Sequence, residues 1–96
     1  MSTNAPVQSP IAIVNGPTDR DIMLSFMYMY DENADVRVKF TVQEGRLKYS
    51  ILAKVAAVAY ESGQRGQLLI ELRTQGKVYK GYYDANKRRG TLSLMK

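Results

Sequence analysis

The densest group of chemistry-bearing side chains lies in residues 77–90, KVYKGYYDANKRRG, where Tyr79, Tyr82 and Tyr83 are interleaved with Lys77, Lys80, Lys87, Arg88 and Arg89. Cations that track phosphates and aromatic faces that stack on bases are the two components of single-stranded nucleic-acid binding. On a strand, Tyr79 and Tyr83 share a face with Gly81, whose missing side chain leaves room for a flat ring, and Tyr82 joins Val78 and Lys80 on the other face. In this reading Tyr79, Tyr82 and Tyr83 stack, while Lys80, Lys87, Arg88 and Arg89 engage phosphates. Tyrosine is also a favoured strand residue, so part of the set serves equally well as packing, and a Lys-Arg-Arg loop is commonly a solvated turn. Arg37, Lys39 and Lys48 extend the basic set, with Arg73 and Lys77, if neighbouring strands align them. Charges that only keep a sheet face soluble give the same pattern.

Catalytic chemistry has little to work with. The chain contains no Cys and no His, which removes disulfides, thiolate nucleophiles, His-dependent triads and the usual zinc sites. Asp19 and Asp21 share a strand-type face, and Asp31, Glu32 and Asp35 cluster in a turn. That cluster lacks the spacing and glycine of a calcium loop, and no nucleophile stands beside it. Ser62-Gly63-Gln64-Arg65-Gly66 has two glycines but neither the helix nor the lysine of a phosphate loop. The expectation is a binding protein, not an enzyme, with no cofactor and no metal.

The charge distribution and the methionines bear on partners. Residues 1–34 carry one base and four acids, and residues 35–96 carry thirteen bases and five acids, so an acidic first third precedes a basic remainder in a chain of net charge +5. A basic body attracts polyanions or an acidic protein surface. Met23, Met27 and Met29 would lie on one side of an extended segment, and adaptable thioethers suit an interface, so they are the candidate contact with another protein or a second copy. Nucleic acid, single-stranded by preference, is therefore the leading partner. The alternative is a protein-interaction or assembly module of the small phage-type or regulatory kind, acting on another protein or forming a homo-oligomer.

These residues must be positioned by a small scaffold. Ninety-six residues make one domain, expected at 10–96 behind a flexible arm at 1–9. Alternation dominates the pattern. In 36–43, Val36, Val38, Phe40 and Val42 alternate with polar residues. In 21–30, Ile22, Leu24, Phe26, Tyr28 and Tyr30 alternate with Met23, Ser25, Met27 and Met29, and the polar 31–35 joins the two as a predicted hairpin. Further strands are expected at 11–14, 68–73, 77–84 and 91–95, with reversals at Glu44-Gly45 and Gln75-Gly76. Segment 47–60, LKYSILAKVAAVAY, fits both periods. Its alanines and length favour a helix, but only Gly45 and Arg46 separate it from the preceding strand and no side chain caps it, so a long bent strand or two short ones is preferred. The predicted fold is mainly β, a single antiparallel meander of six to seven strands closing into a barrel or sandwich, with α+β carrying one helix at 47–60 as the alternative.

Residues 69–81, LIELRTQGKVYKG, resemble the hairpin of Sm-like RNA-binding proteins, in which a strand reaches a turn glycine and the next strand carries another, here Gly76 and Gly81 with Tyr79 between. The likeness is confined to that stretch. The loop at 84–90 departs from the family's, and its N-terminal helix has no counterpart, so membership is not assigned. No apolar run approaches the roughly 20 residues of a membrane span, and the N-terminus lacks the charged and apolar regions of a signal peptide, so a cytoplasmic location is expected.

Overall fold

The structure is a computed structural model, and it describes residues 10–61 and 67–95. Six strands and one helix follow in the order β1 (Ile11–Asn15), α1 (Asp19–Met27), β2 (Val38–Glu44), β3 (Leu47–Tyr60), β4 (Gln67–Thr74), β5 (Lys77–Asp84) and β6 (Arg89–Met95). Each strand pairs antiparallel with the next, and β6 returns to pair with β1, which closes the barrel. Closure removes the unpaired edges that an open sheet of this size would expose. The expected arm at 1–9 and the glycine-bearing segment 62–66 lie outside the described residues.

The inward face is supplied by alternation. Phe40 and Val42 of β2, Leu68 and Leu72 of β4, Tyr83 of β5 and Leu92 of β6 are all essentially inaccessible. The reversals follow their turn chemistry. Gln75 (φ 50°) and Gly76 (φ 75°) connect β4 to β5 in two residues, both left-handed as a tight hairpin turn of this twist requires. Asp84 organises the four-residue β5–β6 loop by accepting hydrogen bonds at Oδ1 from the Asn86 amide (2.9 Å) and the Lys87 amide (3.1 Å).

Segment 47–60 is a strand of 14 residues. Its first half pairs with β2 and its second with β4, so one strand serves both walls. The register shifts between Val55 and Ala57, which leaves Ala56 as the extra residue of a bulge. Inward parity therefore runs through Ala53 and Val55 and resumes at Val58, while Ala57 and Ala59 turn outward. The alanines that favour a helix by propensity are spent on the bulge and on an outer surface where small side chains leave a depression.

The hairpin expected across 21–43 is not formed. Residues 19–27 are helical, and β2 pairs with β1 and β3 instead. Thr18 decides this locally, since its Oγ1 accepts from the Asp21 amide (3.2 Å) and Asp21 Oδ2 accepts from the Thr18 amide (3.3 Å), a reciprocal cap that satisfies two N-terminal donors. The buried residues are Ile22 and Ser25, with Met23 and Phe26 packed on the core, a helical i, i+1, i+3, i+4 set. The helix packs mainly on β3 and less on β2. Ser25 Oγ donates to the Val36 carbonyl (3.3 Å), and the Tyr60 hydroxyl donates to Asp19 Oδ2 (2.9 Å), tying α1 to the start of β2 and the end of β3.

Candidate nucleic-acid interface

The pairing registers arrange the outer wall of β3–β6 in rows of directly opposed residues. One row runs Ala59, Leu69, Tyr82, Thr91; beside it run Ala57, Glu71, Lys80, Ser93; next to that run Lys54, Arg73, Val78, Met95. On the other side of Tyr82, Gln67, Asp84 and Arg89 close the wall where the β5–β6 loop begins. Tyr82 is 46 % exposed and Leu69 39 %, and these two lie side by side over an open groove of about 610 Å³. The alanines of β3 form its low side. Cross-strand neighbours on one face lie close enough for a flat ligand to touch several at once.

The three tyrosines of 77–84 divide between the two faces. Tyr82 faces out between Lys80 and the row of Arg89. Tyr79 and Tyr83 are turned into the barrel, 8 % and 0 % exposed, and offer no ring face to a ligand. This corrects the stacking role expected of those two. Tyr83 meets Phe40 edge to face, with ring centroids 5.5 Å apart, and its hydroxyl donates to the Pro17 carbonyl at 2.7 Å. Burial pushes that hydroxyl's pKa up to about 12, against the lowering effect of the Arg88 charge and with a smaller raising contribution from Asp84. Nor does Gly81 leave space for a ring. A Cβ there would stand 1.8 Å from the Thr91 carbonyl oxygen, so the missing side chain admits the β6 backbone.

The cations expected at a nucleic-acid surface fall into three places. Lys80 and the exposed Lys87, Arg88 and Arg89 border the groove or its loop end, and Arg73 and Lys54 border the other side. Among the residues lining the groove, Glu71 is the one carboxylate, and it stands between Arg73 (3.5 Å) and Lys80 (3.7 Å), so its charge is shared by two bases. Arg37 and Lys39 instead line a second depression, about 520 Å³, between α1 and β2 together with Asp21 and Leu24. The Arg37 guanidinium bonds Asp35 Oδ1 at 2.9 Å, with Lys54 at 3.8 Å on the same oxygen, and it holds the Asp35 carboxyl below its usual range. Lys48 opposes Gln43 far along the β2–β3 hairpin. The ten residues expected at a nucleic-acid surface are thus not one patch. Lys80, Tyr82, Lys87, Arg88 and Arg89 are brought together; Arg37 and Lys39 share a different groove; Lys48 stands apart.

The methionines also separate, because a helix replaces the strand that would have aligned them. Met23 packs against the core, Met29 is half-buried just past the helix, and Met27 is 68 % exposed. Sequence reasoning missed Leu69, Ala57 and Ala59 as parts of the wall. The signal for the alanines was the loss of alternation at Ala56.

Among the described residues, no group of three or more His, Cys, Asp or Glu side chains is placed to hold a metal ion. No described helix is long and apolar enough to cross a membrane. Comparison with known proteins finds no match to a protein family, a curated protein or a solved structure.

Proposed function

We propose that this chain is a non-enzymatic binding module of the cytoplasm that holds single-stranded nucleic acid on the outer wall of β3–β6. The observation that carries the reading is the exposed ring of Tyr82, side by side with Leu69 and bordered by Lys80 on one side and Arg89 with the Lys87-Arg88 loop on the other. One base stacks on Tyr82 against Leu69, and the adjoining phosphates run along the cations. The chain has no Cys, so it needs no oxidising compartment to fold. Closed strands give the site a rigid base, which keeps the entropy cost of binding low.

The test is a salt-titrated binding assay with a fluorescently labelled single-stranded oligonucleotide. A stacked base is worth about 1–3 kcal/mol, so Tyr82→Ala lowers affinity roughly tenfold or more. Four phosphate contacts from Lys80, Lys87, Arg88 and Arg89 give a logarithmic salt slope of roughly −3, and each of the four changed to Ala removes about 0.7 of it. Undetectable affinity at low salt, or affinity indifferent to Tyr82→Ala and to the loop cations, sinks the proposal.

A further inference from the structure

We propose that copies of this chain assemble head to tail, the exposed face of α1 on one copy seating in the β3–β6 groove of the next. Beyond Arg20, the outward stripe of α1 and the turn that follows it is apolar and has no partner among the described residues. Met27 is 68 % exposed, Tyr30 75 %, Tyr28 45 % and Leu24 38 %. The chain stays wound past the helix, with the Met29 amide bonded to the Phe26 carbonyl and the Asp31 amide to that of Tyr28, so these side chains form one projecting knob. Monomeric surfaces seldom gather so many large apolar side chains without a partner, and Tyr and Met are enriched where partners meet.

Charge selects the partner. The knob carries the exposed carboxylates of Asp31 and Glu32, and neither is within ion-pair distance of a described base. The groove on β3–β6 is its complement, an apolar floor of Ala57, Ala59, Leu69 and Met95 with Lys80 and its ion-paired Glu71 in the lining, Arg73 beside them, and Arg89 opposite Asp84 at the loop end. Lys87, Arg88 and Arg89 likewise have no carboxylate within ion-pair distance among the described residues. An acidic knob with aromatic and thioether tips therefore meets a basic-rimmed apolar groove of a second copy, and such complementarity fixes orientation and partner. Because the barrel is closed, copies cannot join by adding strands at an edge, and side-chain faces are the remaining route. In the head-to-tail arrangement the contact is heterologous and leaves one free knob and one free groove on every dimer, whereas a reciprocal two-fold pairing of the same faces would stop at the dimer. This inference does not depend on nucleic-acid binding, although an oligonucleotide held at Tyr82 would compete for the same groove.

Two variants, each blocking one face, test it by sedimentation or light scattering. The wild-type chain grows in mass with concentration, and higher salt reduces the growth. Met27→Asp alone and Leu69→Asp alone stay monomeric. Mixed in equal amounts they form a dimer and nothing larger, because the knob of the Leu69→Asp chain fits the groove of the Met27→Asp chain. Tyr30→Asp with Met95→Asp serves as a second pair, and thermal melts matching the wild type confirm that each variant is folded. A wild-type chain monomeric up to about 1 mM, the weak end of the affinity scale, overturns the proposal. So does association of the wild type that the mixed variants of neither pair restore, since a two-fold interface behaves in that way.

Discussion

Removing a single oxygen atom, in Tyr83→Phe, separates structural from binding tyrosines. The ring is fully buried and edge-on to Phe40, so the substitution keeps its packing and deletes only the hydroxyl that donates to the Pro17 carbonyl at 2.7 Å. An acceptor left without its donor costs about 1–3 kcal/mol when buried. Pro17 is half-buried and recovers part of that from water, which places the loss near 1–1.5 kcal/mol, a fall in Tm of roughly 5–10 °C for a domain of this size. The effect depends on pH with a defined sign. An unfolded tyrosine releases its proton near 10.0, whereas the folded Tyr83 holds it to about 12, so above pH 10 the unfolded state binds fewer protons and wild-type stability falls. The stabilisation from the neutral hydroxyl is complete below pH 10 and is lost as pH rises through 12. Tyr49 and Tyr60, whose hydroxyls are also raised, by burial and by the Asp19 hydrogen bond respectively, occur in both proteins and cancel in the difference. Urea unfolding of the two proteins at neutral pH and at several values above 10 measures that difference directly. Equal stability at neutral pH, or a difference that does not narrow above pH 10, refutes the reasoning. Oligonucleotide affinity at neutral pH is unchanged in the same variant, in contrast to Tyr82→Ala.

Other substitutions probe the scaffold. Gly81→Ala drives a methyl group into the Thr91 carbonyl and costs more than about 3 kcal/mol, read as loss of the cooperative urea transition or of soluble folded protein. Gly76→Ala meets no atom within 4 Å and bears only the left-handed backbone penalty, about 1 kcal/mol in the same assay, so the two glycines differ severalfold. Thr18→Ala removes the side-chain half of the helix cap, the bond that Oγ1 accepts from the Asp21 amide, while the backbone amide of residue 18 still donates to Asp21; it costs about 0.5–2 kcal/mol, with faster amide exchange in the first turn of α1 than anywhere in β4.

Much of the barrel is legible in the sequence because a half-buried strand writes its own period. Residues 38–43 alternate apolar with polar, 67–74 do so except at Leu69, and the turns at Gly45 and Gly76 carry the glycines their geometry demands, whereas 77–84 has tyrosines on both faces. Residues 21–30 are not legible in this way, because Met23, Met27 and Met29 fill the second face and let a period of two and a period of 3.6 fit equally well. The deciding signal is upstream and short: Thr18 with Asp21 three residues on, directly after Pro17, where the more familiar Glu of a capping box is replaced by Asp. The reverse occurs at 47–60. There helix propensity is real, but a strand entered through a two-residue turn inherits its partner's pairing, and pairing along both walls outweighs a few tenths of a kcal/mol per alanine.

The site depends on which face of β5 points inward, and alternation alone does not say. The hairpin does. A two-residue connection at Gln75-Gly76 makes Thr74 oppose Lys77, and then Leu72 opposes Tyr79, Ile70 opposes Gly81 and Leu68 opposes Tyr83. Opposed residues share a face. Leu68, Ile70 and Leu72 are the more apolar side of β4, set against Leu69, Glu71 and Arg73, so they take Tyr79 and Tyr83 into the core with them and leave Tyr82 outside beside Leu69. Counting back from the turn therefore assigns each tyrosine its role before any coordinate is known. The β3 side of the wall has no such ruler, because the bulge at Ala56 shifts the register by one residue, and a one-residue slip moves Ala57 and Ala59 from the inner face to the outer. The depression beneath Tyr82 and Leu69 is a consequence of that shift, so a substitution that enlarges Ala57 or Ala59 acts on the groove and not on the core.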